Sequence, residues 1–174
     1  MQTPTNKTNI YDVKKHSLLA GAFLILVILG AKIDLDLGGR ISFTLQTLFL
    51  GLAYFYLPLY FRLGLIVTYL TLGIVGVPVF NGGVGWEYFS SWPLGFFVGF
   101  VLAAIVPVPS DSRVAILITY FLAIHVVIVL LGLCWYSESV DLALNTLKEL
   151  SAGVLIKSLF GALVITLLSR RNRL

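Results

Sequence analysis

The chain has 174 residues, of which 59% are apolar and only 11% charged, and its formal net charge is +4. Soluble domains run nearer about 45–50% apolar and about 25% charged, so this composition cannot clothe a globule in polar surface, and a bilayer is the expected solvent. Scattered or terminal basic residues exclude a basic nucleic-acid stripe, and the single cysteine, Cys134, excludes an internal disulfide and is expected to be lipid-facing or packed.

A helix needs about 20 apolar residues to span a bilayer, within a range of about 17–25. Six apolar runs meet or approach that length. Residues 1–12 form a polar tail, expected to be frayed, and 13–174 form one domain. The first run, 17–33, follows Lys14 and Lys15 as a signal peptide would. Its apolar core is longer than a usual signal core and no small-x-small pattern closes it, so a retained helix is expected. The second run, 41–57, ends at Pro58, and the third, 59–77, at Pro78; the tight joint "YLPLYFR" makes them an antiparallel hairpin. The fourth, 93–106, is short and expected to be tilted or partly irregular. The fifth and sixth cover 114–136 and 147–168. The predicted fold class is therefore an all-α integral membrane protein of six transmembrane helices.

An even span count puts both ends on one side. That side holds Lys7, Lys14, Lys15, Arg62, Arg113, Arg170, Arg171 and Arg173. The other holds Lys32, Arg40 and Lys148 against Asp34, Asp36, Glu87, Glu138, Asp141 and Glu149. By the positive-inside rule both termini are expected in the cytoplasm. The loop "GVPVFNGGVGW" then lies outside.

Lys157 lies inside the sixth run, roughly 15 Å below its start at 1.5 Å per residue. A lysine at that depth costs about 2.5–3.5 kcal/mol on insertion scales and should face the bundle interior. It is either a ligand group for a carboxylate or carbonyl, or a snorkelling or structurally bonded cation. Gln46, with Thr44 and Thr47, sits near the outer end of the second run; it either reads an amide-like ligand or ties two helices together. Asn81, Gly82 and Gly83 make either a turn or a close backbone approach to a ligand. Trp86, Tyr88, Phe89 and Trp92 suit an interfacial belt or a lid, and beside a neutral glycine-rich turn the lid is favoured. Ser17 and Gly21, four apart, let another helix approach closely. His125, alone in an apolar run, is expected to be packed. There is no phosphate loop, no HExxH or paired-cysteine metal site and no Ser/His/Asp set, so neither an enzyme nor a cofactor is expected.

Three stretches together resemble one family. "GAKIDLDLGGRISFTLQTLFLGL", "LGIVGVPVFNGGVGW" and "LGFFVGFVLAA", spread over residues 30–104, are similar to segments of the BioY family, the biotin-specific S-components of energy-coupling-factor transporters. The resemblance implies a biotin pocket near the outer face, a multi-pass location in the cell membrane, and partnership with a transmembrane coupling protein and two ATPases. It also implies that Ser17 and Gly21 dock the coupling protein, an imperfect match to the family's alanine pair. Asn81, Gln46 and Lys157 would supply the polar part of the pocket, with Trp86, Tyr88 and Phe43 as walls. One departure stands out: the family's Pro-Gly-Asp-x-x-Lys pattern reads Ala152, Gly153, Val154, Leu155, Ile156, Lys157 here. The family's aspartate is expected to accept from the ureido N–H of biotin, which Val154 cannot do. Either Asn81 or Gln46 substitutes, or biotin binds more weakly, or the ligand is a relative of biotin. Against this reading stand a non-transporting membrane scaffold, which the buried lysine opposes, and a lipid-modifying enzyme, which lacks any acid/base or metal set.

Overall fold

The computed structural model describes residues 10–35, 41 and 43–171. Among these residues α1 spans Ile10–Lys32, α2 Gln46–Tyr56, α3 Leu59–Ile74, α4 Gly85–Ser90, α5 Leu94–Ala103, α6 Val114–Tyr136 and α7 Val140–Arg171. Three of them, α1, α6 and Val140–Ser169 of α7, are long and apolar enough to cross a bilayer; α3 and α5 are shorter apolar helices. Since α1 begins at Ile10, residues 10–12 of the expected tail are helical, and 1–9 lie outside the described residues.

One expectation is corrected. Residues 41 and 43–45 do not continue α2. Strands β1 (Asp34–Leu35) and β2 (Phe43–Thr44) pair antiparallel, Asp34 opposite Thr44 and Leu35 opposite Phe43. Aromatic and β-branched residues such as Phe43 and Thr44 favour the pleated backbone. The Leu45 N–H then bonds the Gly30 carbonyl of α1 at 3.0 Å, which fixes where α2 starts.

The helix ends follow local chemistry. At the end of α3, Val77 N–H bonds Leu72 O (2.9 Å), Gly76 N–H bonds Gly73 O (3.2 Å), and Gly76 takes φ +96°. This is a Schellman closure, which requires a residue tolerant of the left-handed region. At α7 the Ser139 hydroxyl accepts from Leu142 N–H at 3.2 Å, a side-chain N-cap that starts the helix at Val140, earlier than the apolar run itself begins.

α6 packs between α5 and α7, while α1 lies on α2 and α3, and α2 reaches α7. Glycines set the closest approaches. A Cβ on Gly51 of α2 would fall 2.6 Å from Cε1 of Phe121, and one on Gly161 of α7 2.5 Å from the same atom. The Phe121 ring is fully buried, wedged where α2, α6 and α7 meet. Arg62 clasps the opposite end: Nε donates to Leu57 O (2.7 Å), and Nη1 to Ala104 O (3.0 Å) and Val106 O (3.3 Å). Those carbonyls close α2 and α5 and lack intrahelical partners, so the guanidinium satisfies orphan acceptors. Cys134 is exposed on α6 rather than packed.

Candidate functional site

A cavity of about 360 Å³ opens where the β-hairpin, the start of α2, the 81–93 segment, α5, α6 and α7 meet. Its size falls within the roughly 300–1,000 Å³ of small-molecule sites. One wall is apolar: Phe96, Phe97 and Phe100 from α5 with Ile128 and Val129 from α6. The polar part of its lining centres on Lys157.

The polar corner is an ordered hydrogen-bond chain. Lys157 Nζ donates to Thr47 Oγ1 at 2.9 Å and to the Thr44 carbonyl at 3.4 Å, and stands 4.9 Å from the Phe43 ring centroid. His125 is 2% exposed; its Nδ1 lies 2.8 Å from Phe121 O and its Nε2 3.2 Å from Thr47 Oγ1. A carbonyl only accepts, so Nδ1 carries the ring proton in the neutral imidazole, and Nε2 accepts the Thr47 hydroxyl proton. The Thr47 oxygen is then the acceptor for Lys157. Ser158 Oγ lies 3.3 Å from His125 Nδ1 and closes the far side. An ammonium has three donors, so Lys157 keeps capacity toward the cavity that it lines.

The 77–84 loop borders the cavity at Asn81 and Gly82. Tyr69 O–H donates to Val79 O at 3.2 Å, Lys32 Nζ to Phe80 O, and Tyr88 O–H to Asn81 O. Asn81 Nδ2 donates to Asp34 Oδ2 at 3.2 Å. Phe80 is 1% exposed; its ring meets Phe97 at 4.6 Å and Tyr69 at 5.4 Å between centroids. Gly82, at φ +84°, supplies the left-handed residue that turns the loop back toward the cavity.

The residues expected at a binding site are partly gathered here. Phe43, Gln46, Asn81, Gly82, Tyr88 and Lys157 line the cavity. Gln46 Nε2 donates to Tyr69 Oη at 2.7 Å; since Tyr69 donates onward to Val79, the amide orientation is set, and the Gln46 carbonyl remains as acceptor. Gly83 and Trp86 do not line the cavity. Gly83 packs under the Tyr88 ring. Trp86 is 63% exposed, with its ring on Phe89 at 5.7 Å. Trp86 and Tyr88 are two residues apart on α4, about 200° around the helix, so only one can face inward. Ser17 and Gly21 lie on the exposed face of α1, and a Cβ on Gly21 would meet nothing within 4 Å. Val154 lines the cavity as expected from its register with Lys157. Thr47 and Trp92, noted beside Gln46 and in the aromatic cluster, also line it, as do His125, Asp34 and Glu149, which the sequence marks only as a packed histidine and as outer-side charges. His125 is indeed packed, and it is also a wall of the site.

A sequence profile of the BioY family matches residues 3–172. "Biotin transporter BioY" of Thermotoga maritima is 36% identical over 93 residues, 53% of this chain and 54% of that protein, so the alignment spans about half the length of the relative. The crystal structure of the S-component for biotin from an ECF-type ABC transporter superposes with a TM-score of 0.69 at 17% identity, covering 94% of each chain. That likeness shows the fold, and the apolar helices mark a membrane protein. On the profile match, which runs over nearly its whole length, the chain belongs to the BioY family.

Proposed function

We propose that this chain is the membrane-embedded substrate-binding subunit of a biotin uptake transporter, taking biotin from outside and delivering it inward with a transmembrane coupling protein and two ATPases. Biotin joins a flat polar cyclic urea and a sulfur ring to an acidic tail, so it needs a few oriented donors and acceptors against an apolar wall. The carrying observation is the cavity that gathers the Lys157–Thr47–His125 chain and Phe96, Phe97 and Phe100, with Asn81 and Gly82 of a bonded loop at its border. The "Biotin transporter BioY" relative supports the ligand class.

In this reading the six runs give six crossings of the plasma membrane with both termini cytoplasmic, and the chain itself is not an enzyme. α2, with 11 residues, and α5, with 10, reach only about 15–17 Å. The extended backbone that completes those crossings is tolerated because it lines a cavity or is buried in protein. The exposed Ser17–Gly21 face of α1 supports docking of the coupling protein, on which the subunit reorients while its partners hydrolyse ATP.

Calorimetric titration with biotin of protein stripped of co-purified ligand, beside Lys157→Ala, tests the reading. Tight stoichiometric binding that Lys157→Ala loses is expected. Absence of binding by the stripped wild-type protein would refute biotin as ligand.

A further inference from the structure

We infer that Asp34 accepts the hydrogen bond from a ring N–H of the ligand, next to the Lys157 ammonium; this rests on the biotin reading above. The stretch of α7 nearest Lys157 offers Gly153 and Val154 to the cavity, and neither side chain accepts a hydrogen bond. The acceptor therefore comes from another element. β1 supplies it. Asp34 pairs with Thr44, and the Thr44 carbonyl is one of the two acceptors that hold Lys157 Nζ. Residues facing each other across an antiparallel ladder have Cα atoms about 4.5–5.5 Å apart and side chains on one face. Both Asp34 and Thr44 line the cavity. An anionic acceptor thus lines the same cavity as the cationic donor, on the strand facing the residue whose carbonyl holds that donor.

Asn81 orients that carboxylate by donating to Oδ2. A carboxylate has about four lone-pair sites, so acceptor capacity remains after that bond. A cyclic urea presents a carbonyl oxygen with an N–H immediately beside it on the same edge. Lys157 complements the oxygen and Asp34 the N–H. Glu149 also lines the cavity, but it lies eight residues before Lys157, about 12 Å along α7. That is too far to share one edge of a urea with Lys157.

The test measures biotin affinity of the full-length protein, stripped of ligand, for wild type, Asp34→Ala, Asp34→Asn and Lys157→Ala. A biotin analogue with one ring N–H replaced by oxygen is titrated in parallel. Both Asp34 variants are expected to bind biotin about 10- to 100-fold more weakly, the effect of losing one charge-assisted bond. The wild type is expected to favour biotin over the oxygen analogue and Asp34→Ala to lose that preference, whereas Asp34→Asn, whose amide oxygen still accepts, loses only part of it. Asp34→Asn keeps the side-chain volume and covers the case in which Asp34→Ala folds poorly. Unchanged biotin affinity in both variants, with Lys157→Ala inactive, overturns the inference while the biotin reading stands. Weakened binding by Asp34→Ala with the preference for the ring N–H fully retained also overturns it, since Asp34 would then act only on the fold. No biotin binding by the wild type removes both.

Discussion

Thr47→Val is the most informative single change, because it removes one hydroxyl and almost no volume. Thr47 is the middle link between Lys157 and His125, at 2.9 Å and 3.2 Å. The substitution leaves Lys157 with the longer contact to Thr44 O and leaves the buried Nε2 of His125 without a donor. Two scales bound the effect. Hydrogen bonds to charged groups contribute about 1.5–3 kcal/mol in water-soluble proteins. Side-chain bonds between membrane helices average only about 0.6 kcal/mol and reach about 1.7. The membrane scale applies here, and with two bonds broken a loss of about 1–3 kcal/mol is expected. Because Lys157 is also freed from its position, biotin affinity should fall about 5- to 50-fold. Denaturant titration in mixed micelles gives the first number and calorimetry the second. Thr47→Ser keeps the hydroxyl and should recover most of both. If Thr47→Val matches wild type in both assays, or Thr47→Ser is as damaging as Val, the chain of donors is not what holds Lys157.

Gly99→Ala places a methyl 2.8 Å from the Ile128 Cα, a backbone atom that cannot rotate away, so α5 and α6 must separate at a cost of about 1–3 kcal/mol, visible as a lower melting temperature in detergent. Gly21→Trp fills open space on the outer face of α1; it should leave biotin affinity unchanged and reduce co-purification of the coupling protein, and unaltered complex formation would count against that docking face. Asp111 accepts from the Arg113 backbone N–H (2.8 Å) and pairs with its guanidinium (2.6 Å), the backbone bond first and the side chain second holding its carboxyl below the usual carboxylate range. A depressed pKa stabilises above the unfolded value and is lost as pH falls through the folded one. The loop before α6 should therefore loosen only below that range, as a small rise in proteolysis near residue 111. Asp111→Asn should show the looser loop at all pH values.

The long apolar runs were legible because a bilayer demands length and hydrophobicity, both countable in one dimension. α6 matches its run at both ends and Pro58 falls just past the end of α2, whereas α3 stops at Ile74, ahead of Pro78, because Gly76 closes it first. The β-hairpin was not legible: two-residue strands have no periodicity, and Phe43 and Thr44 are as compatible with an apolar helix. Lys157, Gln46 and Asn81 announced themselves as polar groups among apolar ones. Thr47 stood out beside Gln46, but its link to His125 did not, because that relation spans 78 positions and exists only once α2 and α6 pack. Asp34 was counted only as outer-side charge, since nothing short of the ladder brings it opposite Thr44. Trp86 and Tyr88 looked equivalent until α4 fixed which face each occupies.

The bonded loop has a kinetic consequence. If the 77–84 segment lifts to admit a ligand, it gives up the Asn81–Asp34 and Tyr88–Asn81 bonds. Binding-competent molecules are then a minor fraction of the population, and apparent affinity and association rate are both scaled down by that fraction. Each 1.4 kcal/mol of closure is a tenfold slower capture. The same closure slows escape once the ligand is inside. The loop thus exchanges speed of capture for residence time, so a variant that weakens it should load biotin faster and also lose it faster.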